Sequence, residues 1–207
     1  MKVIDPKVEL LHLIDERDYY KAIELAGRIC YQSEPKEEDS DIKFVRKMMK
    51  LGHDAMLEHA PSISMRFVCD RGVTHEIVRH RLFSFAQEST RYCLYSNEIT
   101  VIRPNFWNDN GHQYKWENWM LAMKTAEETY IQLIRLGASA QEARSVLPNS
   151  LKTEIIVTGN IREWRHFFKL RTAKAAHPQM RQVAKQAFEL LELRIPVLLE
   201  DIQPYIG

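Results

Sequence analysis

The 207-residue sequence has little glycine, proline or cysteine, with 7, 8 and 3 residues respectively. So few glycines and prolines exclude collagen-like and low-complexity segments. The cysteines, Cys30, Cys69 and Cys93, lack CxxC spacing, which argues against a disulfide framework or zinc ribbon and favours a reducing cytoplasm. No run approaches the roughly 18 apolar residues of a membrane span, and the N-terminus resembles neither a signal nor a transit peptide.

Charge of either sign is not in excess, because 29 Lys and Arg residues stand against 28 Asp and Glu residues. This balance excludes a polyanion binder held by bulk charge but allows a local basic site. Hydrophobic residues make up 45% of the chain, which is enough to build a core. Neither a repeat nor a linker rich in Gly, Ser or Pro divides the sequence.

The pattern of apolar residues predicts one α+β domain over residues 1–207, with an antiparallel or mixed sheet packed by helices. Strands are predicted at 7–14, 62–69, 98–103 and 151–158. Helices are predicted at 18–30, 42–51, 70–79, 113–136, 139–147 and 160–170, and from 178 onward. Ser139 with Glu142, and Asn160 with Glu163, have the spacing of capping boxes.

Basic residues are concentrated in two stretches, at 79–92 and 162–181, and each stretch contains a single acid, Glu88 or Glu163. The first stretch also carries hydroxyl and amide side chains. Arginine predominates, and its planar guanidinium suits bidentate recognition of phosphate. Either stretch alone is typical of a solvated helix face. Together they predict a pocket for anionic ligands rich in hydrogen-bonding groups, such as nucleotides.

Several other patterns are weaker. His75, Glu76 and His80 miss zincin spacing by one residue, and we predict no metal site. Cys93 lies two residues after Arg91, but its neighbours favour a buried, inert thiol over a nucleophile. The tryptophan-rich stretch 106–119 fits a core and loop anchor better than a stacking platform for nucleic acid. The sequence contains neither a Walker A motif nor GxGxxG, so side chains must hold any nucleotide or flavin.

A thirteen-residue window is more specific. Residues 79–91 match every fixed position of the pattern RHRxxSxxxxSxR, and the sequence thereby resembles the flavin-dependent thymidylate synthases (the ThyX family). Further similarities follow in order along the chain. They are Gly52-His53 with Glu58-His59, Ala143-Arg144 with Leu147-Pro148, Asn160-x-Arg162, and Leu170-Arg171 with His177-x-Gln179. The resemblance covers about residues 20 to 190.

The resemblance implies a ThyX-like fold and reductive methylation of dUMP to dTMP. The family takes the carbon from 5,10-methylenetetrahydrofolate and electrons from NADPH through FAD, and it uses no enzyme cysteine. It also implies a homotetramer whose active sites are shared between subunits, with no nucleic acid or membrane partner. Arg171 matches the arginine that contacts the pyrimidine and favours ionisation at N3, which makes it the implied catalytic residue.

The family pattern also implies two further groups of site residues. The flavin-contact positions are His53, Ala55, Arg79, His80, Arg81, Gln87, Asn160, Arg162 and His166. The dUMP-contact positions are Glu76, Arg79, Ser84, Gln87, Ser89, Thr90, Arg91, Arg144 and Arg171.

This sequence departs from the pattern at several contact positions. Gln87 stands where many relatives have Glu, Ala86 where Asn is common, His166 where Asn is frequent, and Ala55 in a segment that is often Thr-Pro. These changes bear on individual contacts more than on the activity. Two alternatives stay open: a nucleotide- or RNA-binding module that uses the same arginines, and a catalytically silent flavin-binding homologue.

Overall fold

The computed structural model describes residues 1–12, 15–35, 37–107 and 111–204. Its strands are β1 (Lys2–Ile4), β2 (Lys7–Leu10), β3 (Ile63–Asp70), β4 (Ser84–Gln87), β5 (Thr100–Ile102) and β6 (Lys152–Gly159). Its helices are α1 (Glu16–Ile29), α2 (Ser40–Leu51), α3 (Arg71–Ile77), α4 (Gln113–Arg135), α5 (Ala140–Ala143), α6 (Ile161–Arg171) and α7 (Pro178–Glu192). Short 3-10 helices lie at Asp54–His59, Arg144–Val146 and Pro196–Leu198. The predicted α+β class is confirmed.

The strands form two sheets. The larger sheet has the order β2-β3-β6-β4, and the smaller pairs β1 with β5 in parallel, with Val3 opposite Val101. Alternate residues of β3 are buried, from Ile63 through Cys69, as the alternating pattern of the sequence predicts. Burial of the Cys69 thiol raises its pKa.

The chain divides into two compact units. Unit 1 comprises Met1–Lys7, Phe67–Arg79 and Ala86–Ile155, and unit 2 comprises Val8–Arg66, His80–Phe85 and Ile156–Gly207. Strands β3, β4 and β6 therefore each have residues in both units. The prediction of one domain over 1–207 stays a prediction.

The core of unit 1 lies under α4. Trp119 and Met123 pack with Ile99, Val101 and Leu151. The partly buried Trp116 stacks on Trp119, with ring centroids 4.9 Å apart. These two tryptophans belong to the core, as predicted, and they do not form an open stacking surface.

The core of unit 2 is an aromatic cluster on α6. The rings of Trp164 and Phe168 stack with centroids 5.7 Å apart, and the Phe167 ring is edge-on to each of them at 5.6 Å. The Phe83 ring centroid lies 4.5 Å from that of Trp164. The indole N–H of Trp164 donates to the Ile63 carbonyl at 3.2 Å. The helix is thereby fixed, with its polar side chains on the remaining faces.

The helix starts depend on side-chain caps. Asp70 accepts from the Val73 N–H at 2.8 Å, and Ser139 with Glu142 forms the predicted capping box. Asn160 accepts from the Glu163 N–H at 2.9 Å, but no returning bond from Glu163 to the Asn160 backbone accompanies it. The second predicted box is therefore half formed, and the Glu163 carboxylate is used elsewhere.

Several predicted boundaries differ from the structure. Strand β4 lies within the arginine-rich motif of residues 79–91 and was not predicted, because its four residues show no clear apolar alternation. The strand predicted at 7–14 ends at Leu10, and Leu13 and Ile14 lie outside the described residues. Helix α4 agrees with prediction, and Gly137 follows it with φ at +93°. In the described part of the chain, helices with the length and apolarity to cross a bilayer are absent.

The first testable prediction concerns Gly159, at the end of β6. A Cβ built there would lie 2.1 Å from Cδ1 of Phe83, which is itself buried against Trp164. We expect Gly159→Ala to lower the free energy of unfolding by about 2 kcal/mol, measured by urea denaturation, because the core is overpacked.

Adding Phe83→Leu to Gly159→Ala should recover part of this loss, since the shorter side chain relieves the overlap. Gly111→Ala is the control, because a Cβ there meets no atom within 4 Å. Equal stability of the Gly111→Ala and Gly159→Ala proteins would contradict the prediction.

Candidate active site

In unit 1, two threonine hydroxyls hold the side chain of Gln87. Its Nε2 donates to Oγ1 of Thr74 at 3.0 Å and to Oγ1 of Thr153 at 3.3 Å. The Thr74 hydroxyl donates in turn to the Arg71 carbonyl at 2.8 Å. Because a hydroxyl carries one proton, Thr74 must accept from Gln87, which fixes the orientation of the amide. The Gln87 carbonyl oxygen is therefore directed away from the threonines, as an acceptor for another group.

Glu88, the one acid of the 79–92 stretch, is engaged within unit 1. It accepts from the Tyr95 hydroxyl at 2.7 Å and pairs with Nζ of Lys152 at 3.1 Å. Burial and the bond to Glu88 raise the pKa of Tyr95. These contacts fasten the start of the following turn to β6 and occupy the carboxylate that would otherwise neutralise a neighbouring arginine.

The turn at 89–92 carries three of the predicted dUMP contacts. The N–H groups of Tyr92 and Cys93 both donate to the Ser89 carbonyl, at 3.2 and 2.9 Å, and the Arg91 N–H donates to Oγ of Ser89 at 3.3 Å. Thr90 is buried, whereas Arg91 is exposed, with its guanidinium 5.5 Å from the Tyr92 ring centroid. The turn is thus ordered by its own backbone while Arg91 projects outward.

The arginines of the chain differ in their partners. Those paired with carboxylates are Arg17, Arg28, Arg46, Arg66, Arg103, Arg162 and Arg165. Among the residues that the structure describes, the exposed arginines with no carboxylate within 4 Å are Arg79, Arg81, Arg91, Arg135, Arg144 and Arg194. Four of these six, Arg79, Arg81, Arg91 and Arg144, lie at positions where the sequence predicts ligand contacts. A guanidinium without a carboxylate is well suited to receive a phosphate.

In unit 2, His80 is buried between two charged side chains of α6. Its Nε2 accepts from Nε of Arg171 at 3.0 Å, and its Nδ1 lies 3.4 Å from Oε1 of Glu163. Burial, and secondarily the positive charges of Arg171 and His166, lower the pKa of His80 to about 4. His80 is therefore neutral at pH 7. Burial raises the pKa of the Glu163 carboxyl.

A cavity of about 400 Å³ in unit 2 contains two of the predicted flavin contacts. Arg162 and His166 line it, together with Asp54, Leu82, Glu163, Arg165 and Lys169. Leu82 is 69% exposed and offers an apolar surface to a ring, while Arg162 and His166 offer hydrogen-bond donors. Asn160, by contrast, is used as the cap of α6.

His53 lies apart from this group. It lines a different cavity in unit 2, of about 490 Å³, whose walls come mainly from α2 and include Phe44 and Lys47. Ala55 is exposed on the 3-10 helix that begins at Asp54, the residue that lines the smaller cavity. Ser84 is exposed at the start of β4, and Glu76 is half-buried on α3.

Among the described residues that line another cavity in unit 2, of about 850 Å³, there are no predicted site residues. It lies at α1 and the segment before α2. Its acidic lining residues are Glu24, Glu34, Glu37, Glu38, Asp39 and Asp41. We place no nucleotide site there, because these carboxylates would repel a phosphate.

Guanidinium groups without carboxylate partners are found in both units, and the planar guanidinium has the geometry to bind a phosphate. The family model described as thymidylate synthase complementing protein matches residues 12–197. The chain belongs to this family.

Curated relatives are similar over most of their length. A flavin-dependent thymidylate synthase of Corynebacterium aurimucosum is 36% identical over 195 residues, which are 86% of this chain and 78% of the relative. One of Mycobacterium tuberculosis is 32% identical over 200 residues, covering 87% of this chain and 78% of the relative.

A solved structure has a similar fold. It is the UMP/dUMP methylase PolB from Streptomyces cacaoi, determined with 5-Br dUMP. The TM-score is 0.81 with 24% sequence identity, over 97% of this chain and 96% of that one.

Glu163 is not among the site residues that the sequence motifs predict. Its spacing from Asn160 predicts a capping role, and the structure instead places its side chain, 7% exposed, against His80. The signal that could have identified it is its position as the one acid in a basic stretch. Groups of three or more potential metal ligands are absent from the described residues.

The second testable prediction is that Gln87 must be an amide. In Gln87→Glu, a carboxylate would face the Thr74 oxygen, whose only proton is already donated to the Arg71 carbonyl. We expect the free energy of unfolding at pH 7 to fall by about 1 to 3 kcal/mol, the cost of an unmet buried hydrogen bond. Urea denaturation measures it.

The matched control is Gln132→Glu, which makes the same charge change at an exposed position of α4. We expect its stability to stay within about 0.5 kcal/mol of the parent protein. If Gln87→Glu proves as mild as this control, the orientation of the Gln87 amide derived above is wrong.

The third prediction follows from the lowered pKa of His80. An unfolded histidine titrates near 6.5 and the folded one near 4, so the unfolded state binds more protons between these values. Stability contributed by neutral His80 is therefore lost as the pH falls through this window, by about 2 kcal/mol between pH 7 and pH 5.

Urea denaturation of the parent protein and of His80→Gln at both pH values isolates this contribution. The stability of the variant should fall less over the interval, since it carries no imidazole at this position. An equal fall in the free energy of unfolding of the two proteins between pH 7 and pH 5 would contradict a lowered pKa for His80.

Proposed function

We propose that the chain converts dUMP to dTMP, with 5,10-methylenetetrahydrofolate as carbon donor and NADPH as reductant through bound FAD. The observation that carries this proposal is the set of guanidiniums without carboxylate partners at the motif positions. Membership of the family and the names of the curated relatives support the same activity.

Unit 1 supplies most of the proposed dUMP contacts. Arg79, Arg91 and Arg144 are exposed guanidiniums that can donate paired hydrogen bonds to a phosphate. The ordered turn that carries Ser89 and Thr90 limits the entropy lost when the ligand binds, because its backbone is already hydrogen bonded. The fixed Gln87 carbonyl oxygen can accept from an N–H or hydroxyl of the ligand.

Arg171 is the proposed catalytic residue. Its Nε is engaged by His80, which holds the guanidinium plane in one orientation. A guanidinium placed at the O2 and N3 edge of uracil stabilises the negative charge that grows there when the ring is activated. A positive charge in this position favours loss of the N3 proton without a covalent bond to the enzyme.

The residues around the 400 Å³ cavity fit one part of a flavin cofactor. Arg162 and His166 would donate to polar ring atoms, and Leu82 would contact a ring face. When bound, the flavin supplies the hydride chemistry. The cavity is at the small end of ligand pockets, so it surrounds only part of a dinucleotide. We propose that other subunits of a homotetramer contribute the remaining contacts.

The three cysteines are proposed to have no role in catalysis. The Cys69 thiol is buried with a raised pKa. Cys30 is exposed at the C-terminal end of α1, and its Sγ donates to the carbonyl of Ala26 at 3.8 Å. Cys93 is half-buried behind the 89–92 turn. All three are free thiols, as a protein of the reducing cytoplasm would have.

The fourth prediction tests the activity directly. Purified protein is loaded with FAD, gel filtered, examined by visible absorption with and without dUMP, and assayed for dTMP with NADPH and methylenetetrahydrofolate. We expect a retained flavin spectrum that changes on adding dUMP. Arg171→Ala should retain flavin and lose dTMP formation, while Arg91→Ala should raise the KM for dUMP roughly tenfold or more, the cost of a charged hydrogen bond.

Arg135→Ala is the matched control, since it removes an exposed arginine of α4 outside the motif, and Cys93→Ala should retain turnover. Normal dTMP formation by Arg171→Ala would remove that residue from catalysis. A protein that fails to retain FAD but binds oligonucleotides with steep salt dependence would favour the nucleic-acid-binding module. Retained flavin with no response to dUMP would favour the silent homologue.

A further inference from the structure

We propose that Glu163 is a positioning residue that orients Arg171 by acting through His80. The part of this inference that concerns turnover rests on the proposed function, because it takes Arg171 to be the group that contacts the pyrimidine. The geometric part concerns only the three side chains and stands on their arrangement in unit 2.

Glu163 and Arg171 cannot reach each other along α6. They are eight residues apart, which corresponds to a rise of about 12 Å along the helix axis. The His80 ring lies between them, 3.0 Å from Arg171 through Nε2 and 3.4 Å from Glu163 through Nδ1. The imidazole therefore bridges two side chains of one helix that would otherwise not interact.

The bridge specifies one tautomer of His80. An arginine has donors and no acceptor, so the Nε2 that faces Arg171 must carry a lone pair. A neutral imidazole has a single N–H, and this proton must then be on Nδ1, where it faces the Glu163 carboxylate. A negative charge on that side favours the proton at Nδ1, as carboxylates do for histidines that bind metals.

The ring has little freedom to adopt another arrangement. It is edge-on to Phe167 with centroids 5.0 Å apart, and Phe83 lies 6.0 Å away on the same aromatic cluster. His166 lies at 5.6 Å. Because the ring is held by packing, the identity of the protonated nitrogen decides whether Arg171 finds an acceptor or a competing donor.

Burial of the Glu163 carboxylate costs free energy that a capping role for the same residue would not cost. Completing the capping box would place its carboxylate at the start of α6, where the helix dipole also favours it. Its side chain is instead 7% exposed and directed at His80. The neighbouring buried Arg165 does not compensate it, since Arg165 makes paired bonds to Asp201. His166 and Arg162 act to lower the pKa of the Glu163 carboxyl and so offset part of the effect of burial, while the contact with His80 directs the side chain.

Loss of the Glu163 carboxylate should allow the Arg171 guanidinium to adopt other orientations, although the guanidinium itself is still present. In Glu163→Leu, the Nδ1 proton faces an apolar side chain, and the Nδ1–H tautomer is no longer favoured. We expect kcat to fall about 10- to 100-fold, the usual effect of removing a carboxylate behind a functional histidine. The KM for dUMP should change less than threefold, because the phosphate contacts lie on other residues.

Glu163→Gln is the conservative variant. Since Arg171 still requires an acceptor at Nε2, the amide can present its oxygen to the Nδ1 proton and keep the tautomer. It should therefore recover most of the kcat that Glu163→Leu loses. Glu200→Gln is the matched control, because it removes a carboxylate of unit 2 that pairs with Arg46 at the surface. Its kcat should equal that of the parent.

The tautomer is measured directly by nitrogen NMR of protein labelled with ¹⁵N-histidine, without flavin or substrate. The His80 signals are assigned by their loss in His80→Gln. We expect a protonated Nδ1 and an unprotonated Nε2 in the parent protein and in Glu163→Gln, and an altered pattern in Glu163→Leu. Retained flavin binding and an unchanged circular dichroism spectrum accompany each kinetic measurement.

A proton on Nε2 in the parent protein would overturn the proposal, as would a Glu163→Leu enzyme with unchanged kcat and tautomer. A fall in flavin binding that matches the fall in kcat would also overturn it, since the effect would then be structural. If Glu163→Leu does not fold, the His80 tautomers of the parent protein and of Glu163→Gln decide whether the proposal holds. A parent protein that makes no dTMP would contradict the proposed function, while the NMR result would still judge the geometric part.

Discussion

The packing of the α6 aromatic side chains in the core of unit 2 is the contact on which the positions of the other α6 side chains depend. Trp164, Phe167 and Phe168 bury one side of the helix, and the indole bond to the Ile63 carbonyl fixes its rotation. Arg162 and His166 then line the cavity on another face. The Gly159 that precedes the helix allows Phe83 to approach within the space a methyl group would need. A small rotation of α6 would move Arg162, His166 and Arg171 together.

The arginines fall into two groups, those paired with a carboxylate and those without a carboxylate partner. Arg165 is buried and makes paired bonds to Asp201, whose pKa these bonds lower. Arg91, by contrast, follows an acid that is already committed to Tyr95 and Lys152. A folded chain that uses its local carboxylate in this way keeps positive charge available. Overall balance of charge in the sequence therefore conceals a local excess.

The sequence could predict the elements with strong periodicity and the motif that carries the chemistry. Alternation in β3, the long helix α4 with Gly137 behind it, and the cap at Asp70 all follow from local rules. The partners of Glu163 could not be predicted, because a capping box and a contact with His80 require the same residue type at the same position. The different cavities of His53 and Arg162 depend on tertiary packing, which a shared motif pattern does not encode.

The sequence motif of residues 79–91 has members in both compact units. Arg79 and Gln87 belong to unit 1, whereas His80 and Arg81, between them in sequence, belong to unit 2. The proposed dUMP contacts are mainly on unit 1 and the proposed flavin contacts mainly on unit 2. Within unit 2, each polar group near His80 has a defined partner. The Glu163 carboxylate orients His80, and His80 in turn orients Arg171, the arginine proposed to act on the pyrimidine.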